Sequence, residues 1–261
     1  MIKKIIVFST ITIVSSFIFS CAAYERAKPI KVRKRVDVLR VGVEPRTPPY
    51  IFKLDGKIVG IEADFAKKLA DKYNKPLQFI EMPWKNLVPA LMNGKIDVIM
   101  SGMSVTKARQ LQVRFTTPYM TNGLMTLMRS QDAQIFTSPE KIYNTSRSIG
   151  VVKGTTADIF VRRKCPRALV ATFIRTSDAI QALQRQKIKL FIDDGPIIAW
   201  AFSQNSTDFS ALFVPLTEEF TAWAVRPDNE ELLKKLNAAI DEWNRDGTTR
   251  SILRKWLPYI K

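Results

Sequence analysis

The sequence predicts an α/β protein built from two similar lobes, and three observations carry that expectation. Short apolar strands alternate with amphipathic helices along the body of the chain, the mark of sheet-and-helix layers. The alternation runs twice, as two βαβαβ blocks that meet near residue 127. Each block ends its third major strand on a polar, glycine-containing turn, Ser101-Gly102-Met103-Ser104 in one and Asp193-Asp194-Gly195-Pro196 in the other. Two facing lobes would pool ligand groups at these strand ends, where open α/β sheets usually bind.

The N-terminus is a separate matter. Met1-Ile2-Lys3-Lys4 is a short basic segment, and the apolar stretch Ile5 to Phe19 that follows has only Ser and Thr as polar residues. It is shorter than the roughly 20 residues a permanent span needs, and it reads as an export signal. Ile18-Phe19-Ser20-Cys21 resembles a bacterial lipobox, whose Cys is lipidated and becomes the first mature residue. A plain signal peptide cut near Ala22 or Ala23 is the other reading, and either one exports the protein. Residues 26 to 35 then carry Arg26, Lys28, Lys31, Arg33, Lys34 and Arg35 with no acid, a solvated basic tether able to lie on anionic headgroups.

In the first block, Leu39 to Val43 reads as a strand and Leu54-Asp55-Gly56-Lys57 as a hairpin turn. Glu62 to Tyr73 has Phe65, Leu69 and Tyr73 at helical spacing. Leu77 to Ile80 is a strand, Trp84 to Met92 a helix stopped by Asn93-Gly94, and Ile96 to Met100 a buried strand. The second block repeats the order with a strand at Ser148 to Val152 and a helix at Thr155 to Arg163. A strand at Leu169 to Phe173, a helix at Ser177 to Gln186 and a strand at Lys189 to Ile192 complete it. Near the C-terminus, Leu232, Leu233, Leu236, Ile240 and Trp243 form one apolar helical stripe, and Ile252, Leu253, Trp256 and Leu257 another.

Composition bounds the chemistry. The chain has 261 residues, 46% of them hydrophobic, 25% charged, and a formal net charge of +17. Such a charge suits nucleic acid, but export removes that partner, and solvated surface charge is the ordinary reading. The chain contains no His, which excludes His-based nucleophilic triads and His-rich metal sites. Cys165 is left without an intramolecular partner if Cys21 is lipidated, and it is read as a structural residue near a helix end; its basic neighbours supply the alternative of an activated thiol. No metal, no cofactor and no enzymatic activity are expected.

A clamp for a free amino acid needs a guanidinium with N–H or hydroxyl donors for the α-carboxylate, and an acid for the α-ammonium. Ser104, Thr106 and Arg109 share one turn-to-helix segment. Gly154-Thr155-Thr156 opens a helix whose N-terminus is a natural anion site. Asp194 closes a strand. Taken singly, the hydroxyls are ordinary N-caps, Arg109 a surface cation and Asp194 a turn acid.

Together, in order, these residues resemble the solute-binding proteins of bacterial polar amino-acid ABC transporters, the family of the histidine, glutamine and lysine/arginine/ornithine binders. The resemblance runs over roughly residues 38 to 258. It rests on Gly60-Ile61-Glu62-Ala63-Asp64-Phe65 with Leu69-Ala70, on Trp84 to Leu91, and on Ile96 to Ile99 leading to Ser104-Val105-Thr106 and Arg109. Phe115 to Tyr119, Gly154-Thr155-Thr156 and Asp194-Gly195-Pro196 complete it.

That resemblance implies a two-lobe periplasmic-binding-protein fold of type II with a two-crossing hinge. Residues 1–20 would be the signal peptide, 21–37 the lipidated Cys and tether, 38–124 plus 221–261 lobe one, and 125–220 lobe two. The crossings would lie near Leu124-Met125-Thr126 and Phe220-Thr221-Ala222. Arg109, Ser104 and the N–H of Thr156 would hold the ligand carboxylate, with Thr155 beside them, and the Gly102 carbonyl and Asp194 the ammonium. Trp84 would cover the ligand side chain, with Tyr50 also in the site and Glu44 meeting a cationic side chain such as that of arginine. Thr47 stands where relatives often carry an aromatic. The partners implied are a free amino acid, an ABC permease and, through Cys21, a membrane, with the protein a periplasmic or cell-surface monomer. The alternative on the same fold is a cyclohexadienyl (arogenate/prephenate) dehydratase, with Glu44, Asp193 or Asp194 as its acid.

Overall fold

A computed structural model describes residues 37–257 of the chain. The export signal, the lipobox at Cys21 and the basic tether lie outside the described residues. Chain order begins with β1 (Leu39–Val43), β2 (Arg46–Thr47), β3 (Ile51–Leu54), β4 (Lys57–Val59), α1 (Ile61–Lys72) and β5 (Leu77–Glu81). A 3-10 turn at Trp84–Asn86 leads into α2 (Leu87–Met92), followed by β6 (Val98–Ile99), α3 (Lys107–Gln110), β7 (Arg114–Phe115) and β8 (Met120–Asn122). The next stretch holds β9 (Leu124–Arg129), α4 (Pro139–Tyr143), β10 (Ser148–Val152), α5 (Thr156–Lys164), β11 (Leu169–Phe173), α6 (Thr176–Gln184), β12 (Leu190–Asp194), α7 (Gly195–Gln204) and β13 (Phe209–Leu212). The described chain closes with β14 (Glu219–Thr221), β15 (Ala224–Val225), α8 (Glu230–Arg245) and α9 (Thr248–Trp256).

Two five-stranded sheets organise these elements, in the orders β5-β1-β6-β15-β7 and β11-β10-β12-β9-β13. Each has three parallel strands with the first in the middle, then a strand that returns antiparallel. The inner parallel strands β1, β6, β10 and β12 are almost wholly buried, as strands covered on both faces are, while the edge strands β5 and β11 are partly exposed. The chain leaves the first sheet after β7 and re-enters it at β15, and on the way out and back β8 and β14 pair as a separate antiparallel ribbon. A bridge between Ser104 and Thr221 ties the ribbon to the first sheet's ligand-side turn. The fold is thus the two-lobe α/β architecture that the alternation of elements predicts.

The first lobe's core centres on Trp223, which is fully buried and packs its ring with those of Phe65, Tyr119 and Trp243. Phe65 comes from the buried face of α1, and Trp243 from the apolar stripe of α8. The Asp55-Gly56 turn joins β3 to β4 with positive φ at both residues, as the twist of a two-residue hairpin requires.

Three local expectations change. The strand foreseen over Ile96 to Met100 is regular only at Val98–Ile99; the Asp97 and Met100 N–H groups still donate to the Arg40 and Gly42 carbonyls of β1, while the Asp97 carboxylate takes the backbone N–H and guanidinium of Arg40. The helix foreseen from Trp84 starts as a 3-10 turn and becomes α-helical at Leu87. Its Pro89 sits in the first turn, where a missing N–H costs no helical bond. The polar turn foreseen at Asp193 to Pro196 is not a turn: β12 continues to Asp194, and α7 starts at Gly195 with Pro196 in its first turn.

Candidate functional site

Between the two sheets lies a cavity of about 50 Å³, lined by residues of both. A larger cavity, about 460 Å³, sits beside the ribbon among Met120, Met125, Pro196, Pro215 and Leu257. It is mostly apolar and has no opposed charges. The smaller cavity is the one where a cation, three acids, hydroxyls and a helix N-terminus converge.

On the first-lobe wall, α3 is positioned by Thr106, whose hydroxyl accepts the N–H of Arg109 as an N-cap. Thr106 therefore serves the helix, while Arg109 reaches the cavity. Its Nη1 donates to the Ser104 carbonyl at 2.7 Å, and its guanidinium lies 5.1 Å from the centre of the Trp84 ring, a cation–π distance. Burial pulls the Arg109 pKa down, opposed by the negative charges of Asp194 and Glu219; the group stays cationic at any working pH. Carbonyl and ring hold the guanidinium flat and leave its other donors for an anion.

Gly102, also on this wall, has φ +68°, and a Cβ there would lie 2.8 Å from the Tyr50 ring. Only glycine fits. Its N–H donates to the Glu62 carboxylate at 2.6 Å, and the same carboxylate accepts from the Tyr119 hydroxyl at 2.9 Å. Glu62 is fully buried on α1, and burial pushes its pKa up to about 8. The ligand-side turn is thus fixed from below.

Glu44 and Trp84 also line the first-lobe wall. Glu44 is buried and its own N–H donates to Ser101 Oγ at 3.0 Å. Its carboxylate is occupied twice: Oε2 accepts the Trp84 N–H at 3.0 Å and Oε1 accepts Arg46 Nη2 at 2.6 Å. Thr47 lines the cavity beside them.

On the second-lobe wall, Thr155 caps α5. Its hydroxyl accepts the Asp158 N–H and donates to the Val152 carbonyl, and Asp158 accepts the Gly154 N–H in return. Thr156, first residue of the helix, lines the cavity, and its N–H has no intrahelical acceptor. Asp193 and Asp194 end β12 side by side, both buried. Asp193 accepts the Asp194 N–H at 3.0 Å and the Thr176 hydroxyl at 3.4 Å. Burial raises both carboxyl pKa values; for Asp194 the charges of Asp193 and Glu219 add to the rise, while Arg109 and the Tyr50 hydroxyl oppose it. An ammonium placed here relieves this crowding of negative charge.

The cavity brings together Glu44, Trp84, Gly102, Ser104, Arg109, Thr155, Thr156 and Asp194. Tyr50 is not among the residues that line it: it is fully buried beneath Gly102, its hydroxyl accepts from Asn122 at 2.7 Å, and it meets the cavity through Asp194, whose pKa the hydroxyl lowers. Ser101, Val152, Thr176 and Ile197 line the cavity without having been singled out. Thr176 had a signal, as a hydroxyl opening a helix straight after a strand, but the helix was expected one residue later. Cys165 is buried at the end of α5, and burial pushes its thiol up to about 11, which makes it structural and unreactive. Among the described residues, no group of three or more Cys, Asp or Glu side chains is placed to hold a metal, and no helix is long and apolar enough to cross a membrane.

A cleft between two α/β lobes, with a guanidinium on one wall and paired acids on the other, defines a clamp for a small solute. The chain belongs to the bacterial extracellular solute-binding proteins, family 3, whose model matches residues 39–259. It is 27% identical over 251 residues to the ABC transporter arginine-binding protein 1 of Escherichia coli (strain K12), covering 94% of this chain and 96% of that one. Among solved structures it is similar to an ancestral arginine-binding protein bound to glutamine, at 32% identity and TM-score 0.77, covering 84% of this chain and 97% of that one. An ancestral amino-acid-binding protein described as a precursor of cyclohexadienyl dehydratase matches at 30% identity and TM-score 0.79, over 84% of this chain and 95% of that one.

Proposed function

We propose that this solute-binding protein is the exported receptor of an ABC importer for a free polar amino acid. Arg109 and Asp194, on opposite walls of one cavity, carry the reading: their separation of charge complements the α-carboxylate and α-ammonium of a zwitterion. Ser104 and the N–H of Thr156 add donors to the carboxylate, and the Gly102 carbonyl adds an acceptor for the ammonium. The β8–β14 ribbon serves as the hinge between lobes close to the boundaries 38–124 plus 221–261 and 125–220. Ligand favours the closed state because only closure satisfies Arg109 and Asp194 at once. A permease then reads that state, and lipidated Cys21 with its basic tether holds the protein, as a monomer, at a periplasmic or cell-surface membrane.

The name of the Escherichia coli relative favours arginine, and an ancestral arginine-binding relative carries glutamine; the acid at Glu44 suits a cationic side chain only where its Arg46 partner gives way. The chain acts as a binder and not as a dehydratase. The relative tied to dehydratase evolution is itself described as amino-acid-binding. Titration calorimetry of the soluble region against the common amino acids tests the binder reading: one site for at least one polar amino acid is expected. Turnover of prephenate or arogenate, with no amino acid bound, would replace it.

A further inference from the structure

Resting on the amino-acid reading above, we infer that Arg46 is a specificity-determining residue: a built-in counter-ion to Glu44 that biases the pocket toward neutral polar side chains and against cationic ones.

Glu44 is the acid that a ligand's side-chain cation would seek, and it is not free. Arg46 Nη2 lies 2.6 Å from its Oε1, and the Trp84 N–H holds its Oε2 at 3.0 Å. A bound lysine or arginine would therefore bring a second cation to a carboxylate that already carries one. It must either displace Arg46 or sit beside a like charge, and both oppose binding. An amide side chain meets no such conflict, since it can share the carboxylate or the adjacent Thr47 hydroxyl without adding charge.

The placement of Arg46 on the chain suits this role. It is on β2, immediately before Thr47, which lines the cavity, and its backbone N–H donates to the Glu44 carbonyl at 2.8 Å, a tight turn that keeps the two side chains on one side. The α6 helix of the other lobe packs against β2, so closure brings the second wall up to this pair. Arg46 is nearly half exposed and belongs to no core cluster, so its contribution is to charge in the pocket and not to folding. Because the guanidinium is partly in water, its effect on a neighbouring cation is a moderate one.

The test is calorimetry of the wild type, Arg46→Ala and Arg46→Lys with L-arginine and with L-glutamine, each variant checked for an unchanged thermal midpoint. Arg46→Ala is expected to tighten arginine about tenfold relative to glutamine, and Arg46→Lys to keep the wild-type ratio. An arginine-to-glutamine ratio that stays within about threefold of wild type in Arg46→Ala overturns the assignment while leaving the amino-acid receptor intact. A wild type that binds no amino acid at all overturns the underlying reading and this inference with it.

Discussion

The Glu62 carboxylate accepts the backbone N–H of Gly102 at 2.6 Å, so a buried acid on α1 holds the turn that presents the first wall of the cavity. Its pKa is raised by burial from 4.5 to about 8. A folded state that binds the proton more tightly than the unfolded chain loses stability as pH rises between those two values, at up to about 1.4 kcal/mol per pH unit. Glu62→Gln keeps an acceptor for Gly102 and removes the titration. Urea midpoints of wild type and variant should therefore diverge in favour of Gln between about pH 5 and about pH 8. Parallel lines would show that Glu62 does not titrate in this way.

Arg109 lies against Trp84 at 5.1 Å and spends one donor on the Ser104 carbonyl. Lys in its place keeps the charge but loses the planar fork. Arg109→Lys should weaken amino-acid binding by at least about tenfold, and Arg109→Ala by about a hundredfold or more, with little change in thermal midpoint. Titration calorimetry reads both. An Arg109→Ala protein with wild-type affinity would remove the carboxylate clamp.

Asp194 shares its surroundings with Asp193 and Glu219, both of which raise its pKa. Asp194→Asn should cost roughly 2–3 kcal/mol of binding by removing the ammonium's charged acceptor. Stability at neutral pH should hold or rise, because a like charge leaves a buried cluster. Wild-type affinity should itself fall as pH drops through the raised range, since the ammonium binds the ionised carboxylate. Calorimetry across pH and a denaturant series separate the two effects.

Trp200 on α7 of the second lobe packs 5.4 Å from Phe52 on β3 of the first and 6.5 Å from Trp256 on α9. An aromatic contact of this kind contributes about 0.5–1.5 kcal/mol beyond area burial. If it forms on closure, Trp200→Leu should weaken ligand binding several-fold through faster release, seen by stopped-flow, with the association rate unchanged. Equal release rates would place the contact in the open state as well.

The two-lobe plan was legible because strand and helix periods are strong local signals: β1, α1, β10 and α8 fall where apolar spacing puts them. The segment Gly195 to Gln204 was not, since its apolar residues run round every face of α7 and leave no stripe to detect. Site residues were legible as an ordered set, with Arg109 and Asp194 far apart in sequence and on opposite walls of one cavity. Charge pairing within the set was hidden. Nothing in Glu44-Pro45-Arg46 announces that Arg46 folds back on Glu44, and nothing local puts Tyr50 beneath Gly102 and out of the cavity. The first follows from the tight turn in which the Arg46 N–H donates to the Glu44 carbonyl, and the second from the packing of the Tyr50 ring against Gly102.

A crystal structure of the protein with its amino acid bound shows whether a zwitterion is held between Arg109 and Asp194. The α-carboxylate is expected on the Arg109 guanidinium with the Thr156 N–H, the α-ammonium on Asp194, and the side chain toward Glu44 and Trp84. A ligand bound with those ends reversed, or seated in the apolar cavity beside the ribbon, would contradict this arrangement.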